Sequence, residues 1–310
     1  MKVKKTIGDF AIDALFNTFK FLQTSGIVSN KIQRDLLNLL ARRLPTPSGV
    51  NTESFDLQGQ ELLIVSPSES IAKVKQSSKA LLWFHGGGYH IGSPYTHLRM
   101  VAELARLSEV KAYIPDYRLA PEHPFPGALE DSINAYRHLL SLGYKAHDIV
   151  VGGDSAGGGL TMALLLSLKQ SNEPMPAGAV LLSPWVDLTA SSKSCYEKAP
   201  DDPMLSREMG LNWAKSYLQG KDPKSPYASP LFADDVSGLP TILIHVGTRE
   251  ILYDDAQLLH EKLKKSGTVS MLKVWQGMPH VFQLFSGVIP QANEAITEIA
   301  SFIQQRFLLK

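Results

Sequence analysis

Short apolar runs alternate with segments of helical periodicity through most of the chain. The apolar runs predict strands at 61–66, 80–84, 111–114, 149–152, 179–182, 241–246 and 271–275. Most of these runs are continuously apolar, which is typical of strands buried on both faces of a parallel sheet. Helical patterns lie between them, at about 94–107, 127–142, 156–170, 252–265 and 291–307. The alternation predicts an α/β fold with a mostly parallel sheet flanked by helices.

Two regions stand outside this alternation. Residues 1–45 have a helical pattern and end in a linker, 45–49, that contains proline and glycine. Their apolar stripes consist of Ile7, Phe10, Ala11, Ala14, Leu15 and Leu22, followed by Ile32, Leu36, Leu37 and Leu40. The second region, from about 184 to 240, is rich in proline and contains a helical pattern at 206–218. Loops this long in a compact domain are usually lids or insertions, so we expect both regions to cover the functional site.

Charge and composition narrow the class of protein. Lys and Arg number 31 and Asp and Glu number 30, a net charge of +1 that argues against a nucleic-acid partner. The single cysteine, Cys195, excludes an intramolecular disulfide and fits a reducing compartment. No apolar stretch reaches 18 residues and no signal-peptide cleavage pattern is evident, so we expect no membrane span and a cytoplasmic location.

The strongest local motif is Gly153-Asp154-Ser155-Ala156-Gly157, at the junction of a predicted strand and a predicted helix. Gly-x-Ser-x-Gly at such a junction places the serine on a sharp turn, where side chains two residues away would clash. The helix that follows directs its N-terminus towards negative charge that develops beside Ser155. A phosphate-binding loop is the alternative, but no Gly-Lys-Ser/Thr follows the glycines.

A second glycine-rich loop, His85-Gly86-Gly87-Gly88, also follows a predicted strand. Without side chains, its backbone N–H groups are free to point at a carbonyl oxygen that becomes an oxyanion. We expect His85 to brace the loop by hydrogen bonding and not to transfer protons.

A serine nucleophile requires a base, and the base requires a carboxylate that orients it. Three histidines follow Ser155: His245 lies in an apolar strand, His260 lies on a charged helix face, and His280 lies in a loop after a strand. His280 is therefore the candidate base by elimination. The candidate acids follow the strand at 241–246, and they are Glu250, Asp254 and Asp255. The two aspartates lie where the next helix begins and fit its N-terminus equally well.

These motifs resemble the hormone-sensitive-lipase-like branch of the α/β-hydrolases, a group of bacterial esterases. The matching segments are His85-Gly86-Gly87-Gly88, Asp116-Tyr117-Arg118-Leu119-Ala120-Pro121-Glu122, Gly153-Asp154-Ser155-Ala156-Gly157, Ser183-Pro184-Trp185 and Gly277-Met278-Pro279-His280-Val281-Phe282. The resemblance extends from about residue 80 to residue 285 in matching order and spacing. It implies an α/β-hydrolase fold with a helical cap. The cap would consist of an N-terminal segment, 1–45, and an insertion, 185–238, within a core of residues 46–310.

The resemblance also implies roles for individual residues. Ser155 would be the nucleophile and His280 the base, with Gly87, Gly88 and Ala156 as backbone donors to the oxyanion. The chain departs from the family at one point, because Glu250-Ile251-Leu252 stands where relatives usually have Asp-Pro-Leu. Glutamate carries the same charge on a longer side chain, so Glu250 is preferred to Asp254 as the triad acid.

The sequence thus predicts a serine carboxylesterase that hydrolyses short- to medium-chain carboxylic esters through an acyl-enzyme. We expect such an enzyme to require no cofactor, and the nine histidines show no metal-ligand spacing. The alternatives are a hydrolase of lactones, acetyl amides or acetyl sugars and a non-catalytic small-molecule receptor of the same fold. Relatives often pair through the last core strand, here 271–275, so a homodimer is expected there.

Overall fold

The computed structural model describes residues 17–18, 20–21, 29–68 and 78–308. The strands are β1 (Val50–Leu57), β2 (Gln60–Pro67), β3 (Ala80–Phe84), β4 (Lys111–Pro115), β5 (Ile149–Asp154), β6 (Gly178–Leu182), β7 (Thr241–Gly247) and β8 (Ser270–Trp275). The helices are α1 (Asn30–Arg43), α2 (Pro94–Ser108), α3 (Gly127–Ser141), α4 (Ala156–Gln170), α5 (Ser194–Glu197), α6 (Arg207–Leu218), α7 (Tyr253–Lys265) and α8 (Pro290–Leu308). Short 3₁₀ helices occupy Ala146–Asp148, Pro230–Phe232 and Phe282–Phe285.

The eight strands form one sheet in the order β1-β2-β4-β3-β5-β6-β7-β8. All pairs from β4 to β8 are parallel, whereas β1 and β2 join antiparallel at one edge. The predicted α/β fold with a mostly parallel sheet is therefore confirmed. Strand β1 was not predicted, because six of its eight residues are exposed and its sequence contains no apolar run. It forms a hairpin with β2 across a turn at Gln58-Gly59.

The strand register brings the candidate loops to one edge of the sheet. Phe84 at the end of β3 pairs with Gly153 near the end of β5, so the glycine loop lies beside the nucleophile turn. Gly247 at the end of β7 pairs with Trp275 at the end of β8, which places the Glu250 and His280 loops side by side. In open parallel sheets, sites form outside the carboxyl ends of the strands, as here.

Buried apolar side chains cover both faces of the sheet. Helices α2 and α8 pack on one face, where Leu81, Trp83 and Val150 contact Ile299 and Ile303 in one buried cluster. Helices α3, α4 and α7 cover the other face. Helix α4 is apolar around most of its circumference, which is expected of a helix enclosed within the core.

The two regions outside the alternation cover the carboxyl edge to different extents. Helix α1 is tied to the core by ion pairs from Arg34 to Glu122, at 3.0 Å, and from Arg42 to Glu61, at 2.5 Å. The insertion, 185–238, contains α5 and α6, and many of its apolar side chains belong to the buried core cluster. The predicted stripe from Ile7 to Leu22 lies outside the described residues. Within the described ranges, no helix is both long and apolar enough to cross a membrane.

Candidate active site

Ser155 lies on the turn that joins β5 to α4. Its backbone has φ 53° and ψ −120°, a conformation that a residue with a side chain rarely adopts and that stores strain. The two flanking glycines allow the turn to be this tight. A Cβ at Gly153 would lie 2.3 Å from the carbonyl oxygen of Gly157, and one at Gly157 would lie 2.0 Å from that of Phe84. This is the steric requirement expected of the Gly-x-Ser-x-Gly motif.

Asp154, directly before Ser155, anchors the glycine loop to the nucleophile turn. Its buried carboxylate accepts hydrogen bonds from Trp83 Nε1 at 3.1 Å and from the backbone N–H of Gly86 at 3.0 Å. His97 Nε2 of α2 lies 3.0 Å from the same carboxylate. The sequence did not predict this role, because nothing in the spacing of Trp83, His97 and Asp154 shows that they meet.

The carbonyl groups of the glycine loop have hydrogen-bond partners within the loop itself. The carbonyl of Gly87 accepts from the N–H groups of His90 and Ile91, and the ring nitrogens of His85 and His90 lie 2.8 Å from the carbonyls of Gly86 and Gly88. Within the described chain, the N–H groups of Gly87 and Gly88 have no acceptor. Ala156 begins α4, so its N–H has no partner within the helix.

His85 makes the bracing contact expected of it. Burial, together with the neighbouring charge of His97, lowers the pKa of His85 to about 3, so its ring is neutral near neutral pH. Its ring stacks on Tyr117, with centroids 4.3 Å apart, and the Tyr117 hydroxyl donates to the His85 carbonyl at 2.7 Å. His85 and Tyr117 therefore brace the glycine loop together.

His280 and Glu250 form a buried pair. Nδ1 of His280 lies 2.7 Å from Oε2 of Glu250, and the side chains are 2% and 0% exposed. The other oxygen of Glu250 accepts from the hydroxyl of Ser183 at 2.8 Å and from the N–H of Gly247 at 2.6 Å. Ser183 Oγ also accepts from the N–H of Val281 at 3.2 Å. Since a carboxylate accepts hydrogen bonds, the ring proton resides on Nδ1 and Nε2 is free to accept.

Three carboxylates set the charge state of His280. Burial is the largest single effect and disfavours its charged form, but the hydrogen bond and charge of Glu250 together with the charges of Asp202 and Asp154 outweigh it. The net effect raises the pKa of His280 above its ordinary value of 6.5. An imidazolium that forms at this position is therefore stabilised.

The other candidate bases and acids have different partners. His245 is buried in β7, where its Nδ1 accepts from Trp275 Nε1 at 3.2 Å, and burial lowers its pKa to about 3. His260 lies 2.9 Å from Ser270 Oγ. The carboxylate of Asp254 accepts from the N–H of Ser194 at 2.8 Å, and that of Asp255 accepts from the N–H groups of Val186 and Asp187.

Two cavities meet at Ser155. The larger, of about 200 Å³, is lined by His280, the glycine loop, Leu37 of α1 and Leu284. The smaller, of about 20 Å³, is lined mainly by apolar side chains, among them Trp185, Cys195, Met209, Ile251 and Leu252. Leu205 and Trp213 of the insertion line both cavities and separate them. The hydroxyl of Ser155 makes no hydrogen bond within the described chain, and it opens onto both cavities with His280 beside it in the larger one.

Comparison with known proteins identifies relatives in sequence and in structure. A family model described as the alpha/beta hydrolase fold matches residues 81–284. An esterase of Acinetobacter venetianus is 37% identical over 270 residues, which is 87% of each chain. An acetyl-hydrolase of Streptomyces hygroscopicus is 37% identical over 237 residues, 76% of this chain and 79% of that protein. The crystal structure of an esterase from the bacterial hormone-sensitive lipase family superposes with a TM-score of 0.91 at 36% identity, covering 98% of this chain and all of the other.

The chain therefore belongs to the α/β-hydrolase family and, with these relatives, is a carboxylic ester hydrolase. Its branch is that of the bacterial hormone-sensitive-lipase-like esterases, as the sequence predicted. The alternative of a non-catalytic receptor is not supported. Glu250 occupies the position of the expected triad acid, and its catalytic role stays a prediction together with those of Ser155 and His280.

Proposed function

We propose that Ser155, His280 and Glu250 form a catalytic triad that hydrolyses short- to medium-chain carboxylic esters. The observation that carries this proposal is the buried contact of 2.7 Å between His280 Nδ1 and Glu250 Oε2, made by a histidine that lines the same cavity as Ser155. Hydrogen bonds in the resting state of an enzyme are often long or absent and tighten when the substrate binds. The open hydroxyl of Ser155 is compatible with that behaviour.

In the proposed reaction, Ser155 Oγ attacks the ester carbonyl carbon while His280 Nε2 takes the hydroxyl proton. The carbonyl oxygen becomes an oxyanion, and the N–H groups of Gly87, Gly88 and Ala156 are the donors that would stabilise it. His280 then gives its proton to the departing alkoxide as the ester C–O bond breaks, which leaves an acyl-enzyme. Water, deprotonated by His280, attacks that intermediate, and His280 returns the proton to Ser155 Oγ as the acyl–oxygen bond breaks and the acid is released. Glu250 holds the Nδ1–H tautomer and stabilises the imidazolium.

The cavities support the proposed range of chain lengths. The smaller cavity has room for about one or two water-sized groups, so a substituent of one or two carbons fits there. The larger cavity accommodates the other side of the ester, and its wall includes apolar side chains from α1 and from the insertion. We therefore expect the highest turnover on acyl chains from acetate to hexanoate.

An acetyl-specific hydrolase is a second candidate. The smaller cavity matches an acetyl group, and the relative from Streptomyces hygroscopicus is named an acetyl-hydrolase. Under this alternative, the leaving group in the larger cavity would be an amine or a sugar hydroxyl instead of a simple alcohol. A comparison of p-nitrophenyl acetate with N-acetylated and O-acetylated sugars distinguishes the two.

We also propose that residues 1–45 and 185–238 form a cap on the core of residues 46–310. Leu37 supports the first assignment, and Leu205 and Trp213 support the second, because all three line cavities at Ser155. A homodimer through β8 stays a prediction that the oligomeric state in solution tests. Met271 is 48% exposed on this edge strand, so an apolar contact is available. A cytoplasmic location likewise stays a prediction.

Replacement of the nucleophile tests the proposal. Ser155→Ala should lower the hydrolysis of p-nitrophenyl butyrate by about 10⁴-fold or more, because the triad loses its attacking atom. Ser141→Ala, which removes an exposed hydroxyl on α3, is the matched control and should retain full activity. Unchanged thermal unfolding of both variants would show that the fold is intact. Activity of Ser155→Ala within tenfold of the parent would reject the triad.

A further inference from the structure

Asp202 is a buried carboxylate of the insertion that the proposed mechanism does not use. It is 2% exposed, and its Oδ1 accepts hydrogen bonds from the N–H groups of Met204 at 2.9 Å and Leu205 at 2.8 Å. Its Oδ2 accepts from the N–H of Ile251 at 2.8 Å. Ile251 directly follows Glu250. The side chain of Asp202 thus bridges the insertion and the loop that carries the candidate triad acid.

The backbone of Asp202 makes a third connection. Lys20 Nζ, from the N-terminal region, donates a hydrogen bond to the carbonyl oxygen of Asp202 at 3.0 Å. Three parts of the chain that are distant in sequence therefore meet at one residue.

The residue at position 251 determines whether the bridge can form. The family usually has proline after the triad acid, and proline has no backbone N–H to donate. This chain has Ile251, and its N–H is the donor to Asp202. The departure from Asp-Pro-Leu therefore does more than lengthen the acid, since it creates the hydrogen bond that joins the two regions.

The residues that donate hydrogen bonds to Asp202 also line the two cavities. Leu205, held through its N–H by Asp202, lines the larger and the smaller cavity, and Met204 lines the larger one. On the other side, Ile251 lines the smaller cavity. A loss of Asp202 would loosen the cavity wall and the acid loop together.

We propose that Asp202 is a positioning residue that couples the insertion to the Glu250 loop, so that the cavity walls and the His280–Glu250 pair are ordered as one unit. This inference rests on the proposed triad and extends it by a residue outside the three. Breaking the bridge should lower kcat, because the acid loop loses a fixed contact. It should affect KM less, because Asp202 itself lines neither of the two cavities at Ser155.

The charge of Asp202 gives the proposal a second readout. The groups that act electrostatically on His280 are Glu250, Asp202 and Asp154, and all three raise its pKa against the effect of burial. Burial raises the pKa of Asp202 itself, while hydrogen bonds from Leu205, Ile251 and Met204 and the charge of His280 oppose that rise. Removal of the Asp202 charge should therefore lower the pKa of His280 and extend activity to lower pH.

Four variants test this coupling with p-nitrophenyl acetate. Asp202→Asn should lower kcat about tenfold and move the acid limb of kcat/KM down by about half a pH unit or more. Asp187→Asn is the matched control, since Asp187 is a buried carboxylate of the same insertion that accepts from Thr189 and Ser191 and does not act on His280. Ile251→Pro should have a kcat about tenfold below that of Ile251→Val, because Ile251→Val trims the same cavity wall but retains the N–H that donates to Asp202.

The outcomes separate this inference from the proposed function. An acid limb of Asp202→Asn that stays at the parent's pH, or a kcat change equal to that of Asp187→Asn, would overturn the coupling. Parent-like kcat in Ile251→Pro would also overturn it, and that variant decides the question if Asp202→Asn does not fold. The triad itself is tested by Ser155→Ala in the same assay, so either idea can fail alone.

Discussion

The loops at the strand ends and the regions that cover them differ in how they are held. His280 and Glu250 are 2% and 0% exposed, and each makes short hydrogen bonds to the loops around it. On α1, by contrast, Leu36 and Leu40 are 53% and 54% exposed, and the helix is fixed to the core by ion pairs of Arg34 and Arg42. Exposed ion pairs of this kind contribute little stability each, typically below about 1 kcal/mol.

We expect the strand-end loops to carry the chemistry and the covering regions to determine which substrates fit. The residues proposed to move protons lie in loops that follow β5, β7 and β8, and the register of these strands brings the loops together. The side chains that shape the cavities come from α1, whose outer face is half exposed, and from the insertion, where they lie outside the strand register. Substitutions at the strand ends should therefore affect all substrates equally, whereas substitutions in the covering regions should affect substrates according to their size.

The largest effect in this comparison is expected for the acid. Glu250→Gln should lower kcat by about 10⁴-fold for acetate and hexanoate alike, because an amide cannot stabilise the imidazolium and can hold the wrong tautomer. The measurement is steady-state hydrolysis of both p-nitrophenyl esters. Asp254→Asn, which loses a contact with Ser194 only, should remain within about tenfold of the parent. If the two variants exchanged these results, Asp254 would be the acid.

The same difference explains what the sequence could predict. Continuous apolar runs identified seven of the eight strands, and glycine spacing identified the nucleophile turn and the glycine loop, because these features depend on neighbours in sequence. Strand β1 was missed because it is a polar edge strand. Ser183, His97 and Asp202 were also missed as site residues. Each acts through a contact at least 49 residues away in sequence, and no local pattern predicts such a meeting.

The pH dependence should show a smaller effect. His280 must be neutral to accept a proton, and its pKa is raised above 6.5 by Glu250, Asp202 and Asp154. The rate should therefore be full at alkaline pH and fall about tenfold per pH unit below a midpoint that lies above 6.5. Profiles of kcat/KM for acetate and hexanoate should share that midpoint. A midpoint below 6, or a flat profile from pH 5 to pH 8, would contradict the assigned base.

The smallest effect concerns helix α1. Leu37 lines the larger cavity, so Leu37→Ala removes apolar contact that only a longer ester uses. The loss is about 1 kcal/mol, which predicts a decrease of about fivefold in kcat/KM for hexanoate and less than twofold for acetate. Leu39→Ala, on the exposed side of the same helix, is the matched control and should change neither. Equal losses for both esters would show that α1 does not wall the site.

Covalent labelling distinguishes an activated nucleophile from an ordinary serine, and so tests whether the His280–Glu250 pair activates Ser155. Diethyl p-nitrophenyl phosphate reacts with an activated serine and leaves a stable diethylphosphoryl group that peptide mapping by mass spectrometry can locate. We predict one group per chain, on Ser155, with none on Ser155→Ala and much slower labelling of Glu250→Gln. A label on another residue, or undiminished labelling of Ser155→Ala, would contradict the account.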